Sequence, residues 1–232
     1  MNIFSEAIEN FFWVNQKMGI LIRYLRYYIN GNLEYEGEYL FEEKFNGKGY
    51  DKNGNIIYEL KNGTGKVKEF NYKCKLIFEG EYINLKRNGN GKEYYDGSLV
   101  FEGEYLDNKR WKGKEYKYGY LIFEGEYLKG ERNGKGKEYV YDKLIFEGEY
   151  LNGERNGIGK EYDYGKLIFE GEYLNGERNR KGKEYYKNGK LKFEGEYINA
   201  KRNGKGKEYD YDGNLIFEGG YLNGEKNLQI KI

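Results

Sequence analysis

The chain has no histidine, no proline and one cysteine, Cys74. That count excludes disulfide frameworks, Cys/His zinc sites and His-based catalytic triads. No apolar run reaches the roughly 18 residues of a membrane span, and the N-terminus lacks the basic segment of a signal peptide, so a soluble, cytoplasmic protein is expected. An excess of one charge is missing too. Among 232 residues, 40 Lys and Arg meet 39 Asp and Glu, which removes the broad positive field of a duplex nucleic-acid binder and leaves only local anion binding. Hydrophobic residues make up 38% of the chain, too few for a large globular core, whereas 28 Tyr and 13 Phe argue against disorder. Burial is therefore expected to be shallow, aromatic and spread out.

What the chain has is one phrase written many times. The glycine of "FEG" recurs at Gly80, Gly103, Gly125, Gly148, Gly171, Gly195 and Gly219, every 22 to 24 residues. A weaker copy carries Gly37. A degenerate one, "YELKNGTGK", has Leu60 in the glycine place and a shortened loop, making about nine repeat starts. Residues 20–28 read as the second half of a still earlier, incomplete unit. Each unit reads as a β-hairpin. In "LIFEGEYL" (residues 121–128), Leu121, Phe123, Gly125 and Tyr127 fall on one face, and Ile122, Glu124, Glu126 and Leu128 on the other. "KGERNG" (residues 129–134) supplies turn chemistry, and a Tyr-rich strand follows. The FEG glycine leaves a slot for an aromatic ring from the neighbouring strand. Hairpins laid side by side at about 4.8 Å per strand form one antiparallel sheet, so an elongated rod or trough is expected.

The recurring "FEGEYLNGERNGKGKEYDYGKL" resembles the MORN (membrane occupation and recognition nexus) repeat, and the "YYKNGKLKFEGEY" phrasing is similar to the bacterial-type variant. The resemblance covers residues 25–226. Where many members have His before the turn glycine, this chain has Asn88, Asn133, Asn156, Asn179 and Asn203. The family likeness implies an extended antiparallel sheet of tandem hairpins that serves as a scaffold, a dimerisation element or an anionic-lipid contact.

The pairs Glu102/Glu104, Glu124/Glu126, Glu147/Glu149 and Glu170/Glu172 have the composition of a two-carboxylate glycosidase site. Repeated on an exposed ladder beside lysines, they read instead as cross-strand ion pairs, and no enzyme, cofactor or metal site is expected. Turns inside the hairpins place Lys86, Arg87, Arg110, Trp111, Arg132, Arg155, Arg178, Arg180, Lys181, Lys201 and Arg202 along one side. This basic rim with a Trp anchor is the candidate binding site. Its partner is a protein in the leading reading and anionic phospholipid at the membrane surface in the alternative, with no nucleic acid.

The ends differ from the middle. Ile3, Phe4, Ala7, Ile8, Phe11, Phe12, Asn15 and Met18 fall on one helical stripe, which predicts an amphipathic helix in residues 1–19 capping the first edge of a repeat array over 20–226. Residues 227–232 read as an edge strand whose Leu228, Ile230 and Ile232 invite pairing with a second copy, a homodimer through the C-terminus.

Overall fold

The computed structural model describes residues 13–16 and 19–227, and all regular structure among them is β-strand. The chain divides into two compact units, Met1–Gly113 and Lys114–Ile232. The first holds a five-stranded antiparallel sheet in chain order, β1 (Trp13–Gln16), β2 (Gly19–Tyr27), β3 (Leu33–Leu40), β4 (Glu43–Tyr50) and β5 (Ile56–Leu60). A second ladder follows in the same unit, β6 (Gly65–Phe70), β7 (Leu76–Ile83), β8 (Lys86–Tyr95) and β9 (Ser98–Leu106). The boundary between units falls inside β10 (Lys109–Lys117). The second unit is a ladder of β11 (Tyr120–Leu128), β12 (Glu131–Val140), β13 (Lys143–Leu151), β14 (Glu154–Asp163), β15 (Lys166–Leu174), β16 (Glu177–Tyr185), β17 (Leu191–Ile198), β18 (Lys201–Tyr209), β19 (Leu215–Leu222) and β20 (Glu225–Asn227).

The antiparallel hairpin ladder expected from the repeat is present, with one interruption in the first unit. Strands β5 and β6 belong to different sheets; the turn between them carries the isolated bridge Lys61↔Thr64, and Gly63 donates its amide to the Phe45 carbonyl and accepts from the Leu85 amide. This is the degenerate copy. In regular repeats the two strands approach glycine to glycine, as at Gly148↔Gly159. Leu60 stands in that glycine's place, 1% exposed and paired with Gly47 of β4, and Val67 takes the glycine place in β6 opposite Gly80, so side chains stand on both strands where a regular hairpin brings glycine to glycine.

The N-terminal helix is not found. Trp13–Gln16, inside the predicted helical stripe, pairs antiparallel with β2 from Trp13↔Ile22 to Gln16↔Gly19. Residues 1–12 and 17–18 lie outside the described residues. The amphipathic pattern gave way to pairing: β2 is the second half of an incomplete unit, and its free edge hydrogen groups are satisfied by a strand. Trp and Val are also good strand formers.

The hairpin turn is tighter than expected. Only Lys129 and Gly130 form it, with φ of 55° and 93°, both left-handed as a two-residue turn between twisted strands demands. Arg132, Asn133 and Gly134 lie within β12. There the register slips between Gly125↔Gly136 and Tyr127↔Arg132, and Gly134 (φ 77°) marks a bulge.

The core lies on one face. Phe78, Phe101, Phe123, Phe146, Phe169 and Phe193 are each 0% exposed, which contributes about 2 kcal/mol apiece from apolar burial. Each ring lies over a cross-strand glycine pair. A Cβ on Gly148 would stand 2.8 Å from Phe146 Cζ, and one on Gly159 2.5 Å from it. The ring over the FEG glycine thus comes from two residues earlier on its own strand, and only the partner glycine receives it from a neighbouring strand. Tyr150 and Tyr173 meet Phe146 edge-on at 5.7 and 5.1 Å, the arrangement that the ring quadrupoles favour.

Candidate binding groove

On the aromatic face the rings are roofed by arginine. The Arg155 guanidinium carbon lies 4.1 Å from the centre of the Phe146 ring. Its Nε and Nη2 donate to the two Glu138 carboxylate oxygens at 3.2 and 2.5 Å, and the Tyr150 hydroxyl donates to the same carboxylate at 2.8 Å. The unit repeats as Arg87 with Glu69 over Phe78, Arg110 with Glu93 over Phe101, and Arg132 with Glu115 over Phe123. It continues as Arg178 with Glu161 over Phe169 and Arg202 with Glu184 over Phe193. Planar two-point pairing over a ring is a task for Arg that Lys performs poorly. Burial pushes the Glu138 carboxyl up, but the hydrogen bonds from Arg155 and Tyr150 outweigh it and hold the group below the usual range. Glu184, held by Arg202 and Tyr197 against the same burial, falls to about 2.

The candidate rim residues therefore separate by depth. Arg87, Arg110, Arg132, Arg155, Arg178 and Arg202 turn inward onto the phenylalanines and bridge successive repeats. Lys86 and Lys201 are exposed at the hairpin edge, where Lys86 reaches Asp107 at 3.2 Å. Trp111 is 49% exposed. Arg180 sits in the bulge of β16 at the left-handed φ of 56°, where other copies have glycine, and its guanidinium reaches Glu172 at 3.5 Å. Lys181 is exposed beside it. Leu228, Ile230 and Ile232 lie outside the described residues. The inward turn of the arginines carried a legible signal, since each stands nine residues after its phenylalanine, as in Phe146 and Arg155.

The opposite face is polar and holds a groove of about 600 Å³ in the second unit. The backbone of Gly171, Gly182, Gly195 and Gly206 makes its floor. These glycines stand opposite one another in adjacent strands, Gly171↔Gly182, Gly182↔Gly195 and Gly195↔Gly206. Glutamates and lysines flank them in alternating bands: Glu170 and Glu172, then Lys181 and Lys183, then Glu194 and Glu196, then Lys205 and Lys207. Ile158, 58% exposed, stands where Lys135, Lys181 and Lys205 stand in other repeats and adds an apolar wall. Sequence reasoning identified the glutamate pairs and placed Lys181 in the basic site, but grouped it there with Lys86, Lys201 and the arginines of the rim. Parity already distinguished them, because Lys181 and Lys183 flank Gly182 as Glu170 and Glu172 flank Gly171.

These carboxylates have structural tasks. The first of each pair accepts a tyrosine hydroxyl, as from Tyr162 to Glu147 at 2.6 Å and from Tyr185 to Glu170 at 2.6 Å. That bond, after desolvation, pushes the Tyr162 hydroxyl up to about 12. The second closes the bulge, as Glu126 accepts from the Lys135 amide at 3.0 Å. A free backbone donor left by the irregular register is thereby satisfied. Lys137 and Lys207 meet Glu147 and Glu218 at 3.9 and 3.3 Å, the cross-strand pairing expected of this face.

Comparison with known families finds the MORN repeat in five segments, residues 78–99, 123–142, 146–164, 169–190 and 193–215. No curated protein matches the chain. Among solved structures, the chain is similar to the crystal structure of TcdB2-TccC3 at 13% identity, over 88% of this chain and 14% of that one, with a TM-score of 0.24. The same complex without its hypervariable C-terminal region matches at 14% identity over 85% and 13% of the two chains, with a TM-score of 0.23. The chain thus spans about a seventh of the length of those structures, and the superposition is too loose to relate the folds.

Proposed function

Because the chain is a MORN repeat protein, we propose that it is a non-catalytic scaffold that holds a protein partner in the Glu/Lys groove of its second unit. The observation that carries this reading is the charge of the groove. Five lysines (158-side Lys160, then Lys181, Lys183, Lys205 and Lys207) face five glutamates (Glu170, Glu172, Glu194, Glu196 and Glu218). A surface balanced in this way has little pull on a uniformly anionic membrane, but it suits a polypeptide with both signs. The arginines that would make the edge strongly basic are committed to the phenylalanine ladder. The glycine floor lets a backbone approach closely.

A photoreactive residue at Ile158 tests the reading. One cross-linked protein species, lost on Lys183→Glu with Lys207→Glu while the melting temperature holds, supports it. Cross-linking indifferent to those reversals sinks it.

The membrane alternative rests on a separate observation. Leu128, Leu151, Leu174 and Ile198 end successive first strands at the hairpin edge, and they are 46–53% exposed, near Arg180 and Lys201. Salt-sensitive flotation with phosphatidic-acid vesicles, absent with neutral ones, would favour this edge as the site.

A further inference from the structure

The turns that join one repeat to the next contain a conformational anomaly. Tyr118, Tyr141 and Tyr164 occupy the left-handed region, with φ of 53°, 49° and 48°. On the opposite edge of this unit the same first position of the two-residue turn holds Asn152, Asn175, Asn199 and Asn223, with φ of 48° to 52°, and in one copy the flexible Lys129, with φ of 55°. Asparagine enters this region readily, and a bulky aromatic residue does so at a cost. The tyrosines recover little of that cost by burial, being 88%, 72% and 80% exposed. Strain without a packing return points to a surface kept for contact.

The three turns form a continuous strip. The Tyr120 ring meets Tyr141 at 5.3 Å, Lys143 Nζ lies 5.1 Å from the Tyr164 ring, and Lys117 Nζ lies 5.7 Å from the Tyr118 ring. Leu121 donates its amide to Asp142 at 2.7 Å, tying consecutive turns together. Lys117, Lys143 and Lys166 are exposed along the strip and form no ion pair among the described residues. Asp163 is already engaged by Lys187 at 3.0 Å.

Successive tyrosines are two strands apart, about 9.6 Å at ordinary strand spacing. A polyproline II helix repeats every three residues, or about 9.3 Å. Over the two intervals the mismatch is about 0.6 Å. An α-helix offers about 10.5 Å at seven residues, a poorer fit. Polyproline II also leaves its carbonyls without internal partners, so they can accept hydrogen bonds from exposed tyrosine hydroxyls while proline rings lie on the aromatic faces. We propose that the Tyr118, Tyr141 and Tyr164 turns bind an acidic, proline-repeat segment in the polyproline II conformation. One proline per turn of the ligand meets each ring, and a carboxylate every third residue runs beside Lys117, Lys143 and Lys166. This surface is separate from the groove and goes beyond the scaffold reading of it.

Fluorescence anisotropy of a labelled (Pro-Pro-Glu)4 peptide against the full chain tests the proposal. Saturable binding at high micromolar chain is expected, with none for (Gly-Ser-Glu)4. The triple variant Tyr118→Asn, Tyr141→Asn, Tyr164→Asn should bind at least tenfold more weakly and melt at the same or a higher temperature, because asparagine fits the left-handed turns. Lys117→Glu with Lys143→Glu and Lys166→Glu should weaken binding comparably. The groove change Lys183→Glu should leave it unaltered, so the two surfaces fail or succeed independently. No binding at millimolar chain, equal binding of the glycine-serine peptide, unchanged binding by either triple variant, or a lowered melting temperature of the tyrosine variant would overturn the proposal.

Discussion

The repeat built on Phe146 and the earlier one built on Tyr35 occupy equivalent places and use different chemistry. In the later repeat a phenylalanine fills the slot, and Arg155 roofs it with a two-point hold on Glu138. In the earlier one Tyr35 fills the slot at 0% exposure, and Lys44 lies 4.9 Å over its ring while reaching Glu34 at 3.2 Å and the Tyr58 hydroxyl at 3.0 Å. The Tyr35 hydroxyl is buried without a hydrogen-bond partner, a desolvation cost that phenylalanine never incurs. A slot shaped for a ring thus tolerates added polarity, and a point-charge lysine substitutes for the planar arginine. The same unit contains Leu60 and the interruption beside it. Together these departures show how far the repeat drifts before its pairing breaks: a changed ring is absorbed, and so is one lost glycine opposite a retained one, as at Gly47↔Leu60 and Val67↔Gly80, whereas β5 and β6, which both lack it, do not pair as a ladder.

The sharpest way to break the comparison is to empty the regular slot. Phe146→Ala should cost about 4 kcal/mol, as large core deletions do, measured by urea denaturation; a loss below about 1 kcal/mol would mean that the ring is not the core of its repeat. Acid should produce the next largest effect. Glu184 has its folded value depressed to about 2 from an ordinary 4.5, so its contribution is complete above the unfolded value and is lost as pH falls through the folded one. Roughly 3 kcal/mol should disappear between about pH 4.5 and 2. Glu184→Gln should flatten that part of the stability-against-pH curve, and an unchanged slope would show that other carboxylates carry it.

In the earlier repeat the sign reverses. Tyr35→Phe removes the unpartnered hydroxyl and should stabilise by about 1 kcal/mol, seen as slower hydrogen exchange in β3 and β4; destabilisation would mean that the hydroxyl is satisfied. The smallest effect is expected at Arg180→Gly, which restores the usual bulge residue. Relief of left-handed strain, partly offset by glycine's chain entropy, should stabilise by about 0.5 kcal/mol. The same thermal melt would reveal a loss if the Glu172 contact at 3.5 Å outweighs the strain.

Much of the fold is legible in the sequence. Phe123, Gly125 and Tyr127 lie on one face as alternation required; the Leu60 copy is legible as degenerate, but the break into two sheets beside it is not, since the repeat predicts one continuous sheet. The arginines were harder to place. Counted as turn residues beside Asn-Gly, they read as a rim, because nothing local distinguishes a bulge inside a strand from a turn: both want positive φ at the same glycine. Only Phe146 and Glu138, 9 and 17 positions before Arg155, reveal where its side chain goes. The segment around Trp13 misled for a similar reason, since a stripe at helical spacing does not register an open strand edge beside it.

Sequence by itself determined the repeat, the antiparallel hairpins, the aromatic face and the weak copy, because strand alternation and glycine content are local and are repeated often enough to leave no other reading. Tertiary structure decided which charges are committed to the phenylalanine ladder and which stay exposed. That choice depends on register: a two-residue turn followed by a bulge sets which side chains stand over the phenylalanines, and residues from neighbouring repeats meet only once the strands are laid side by side.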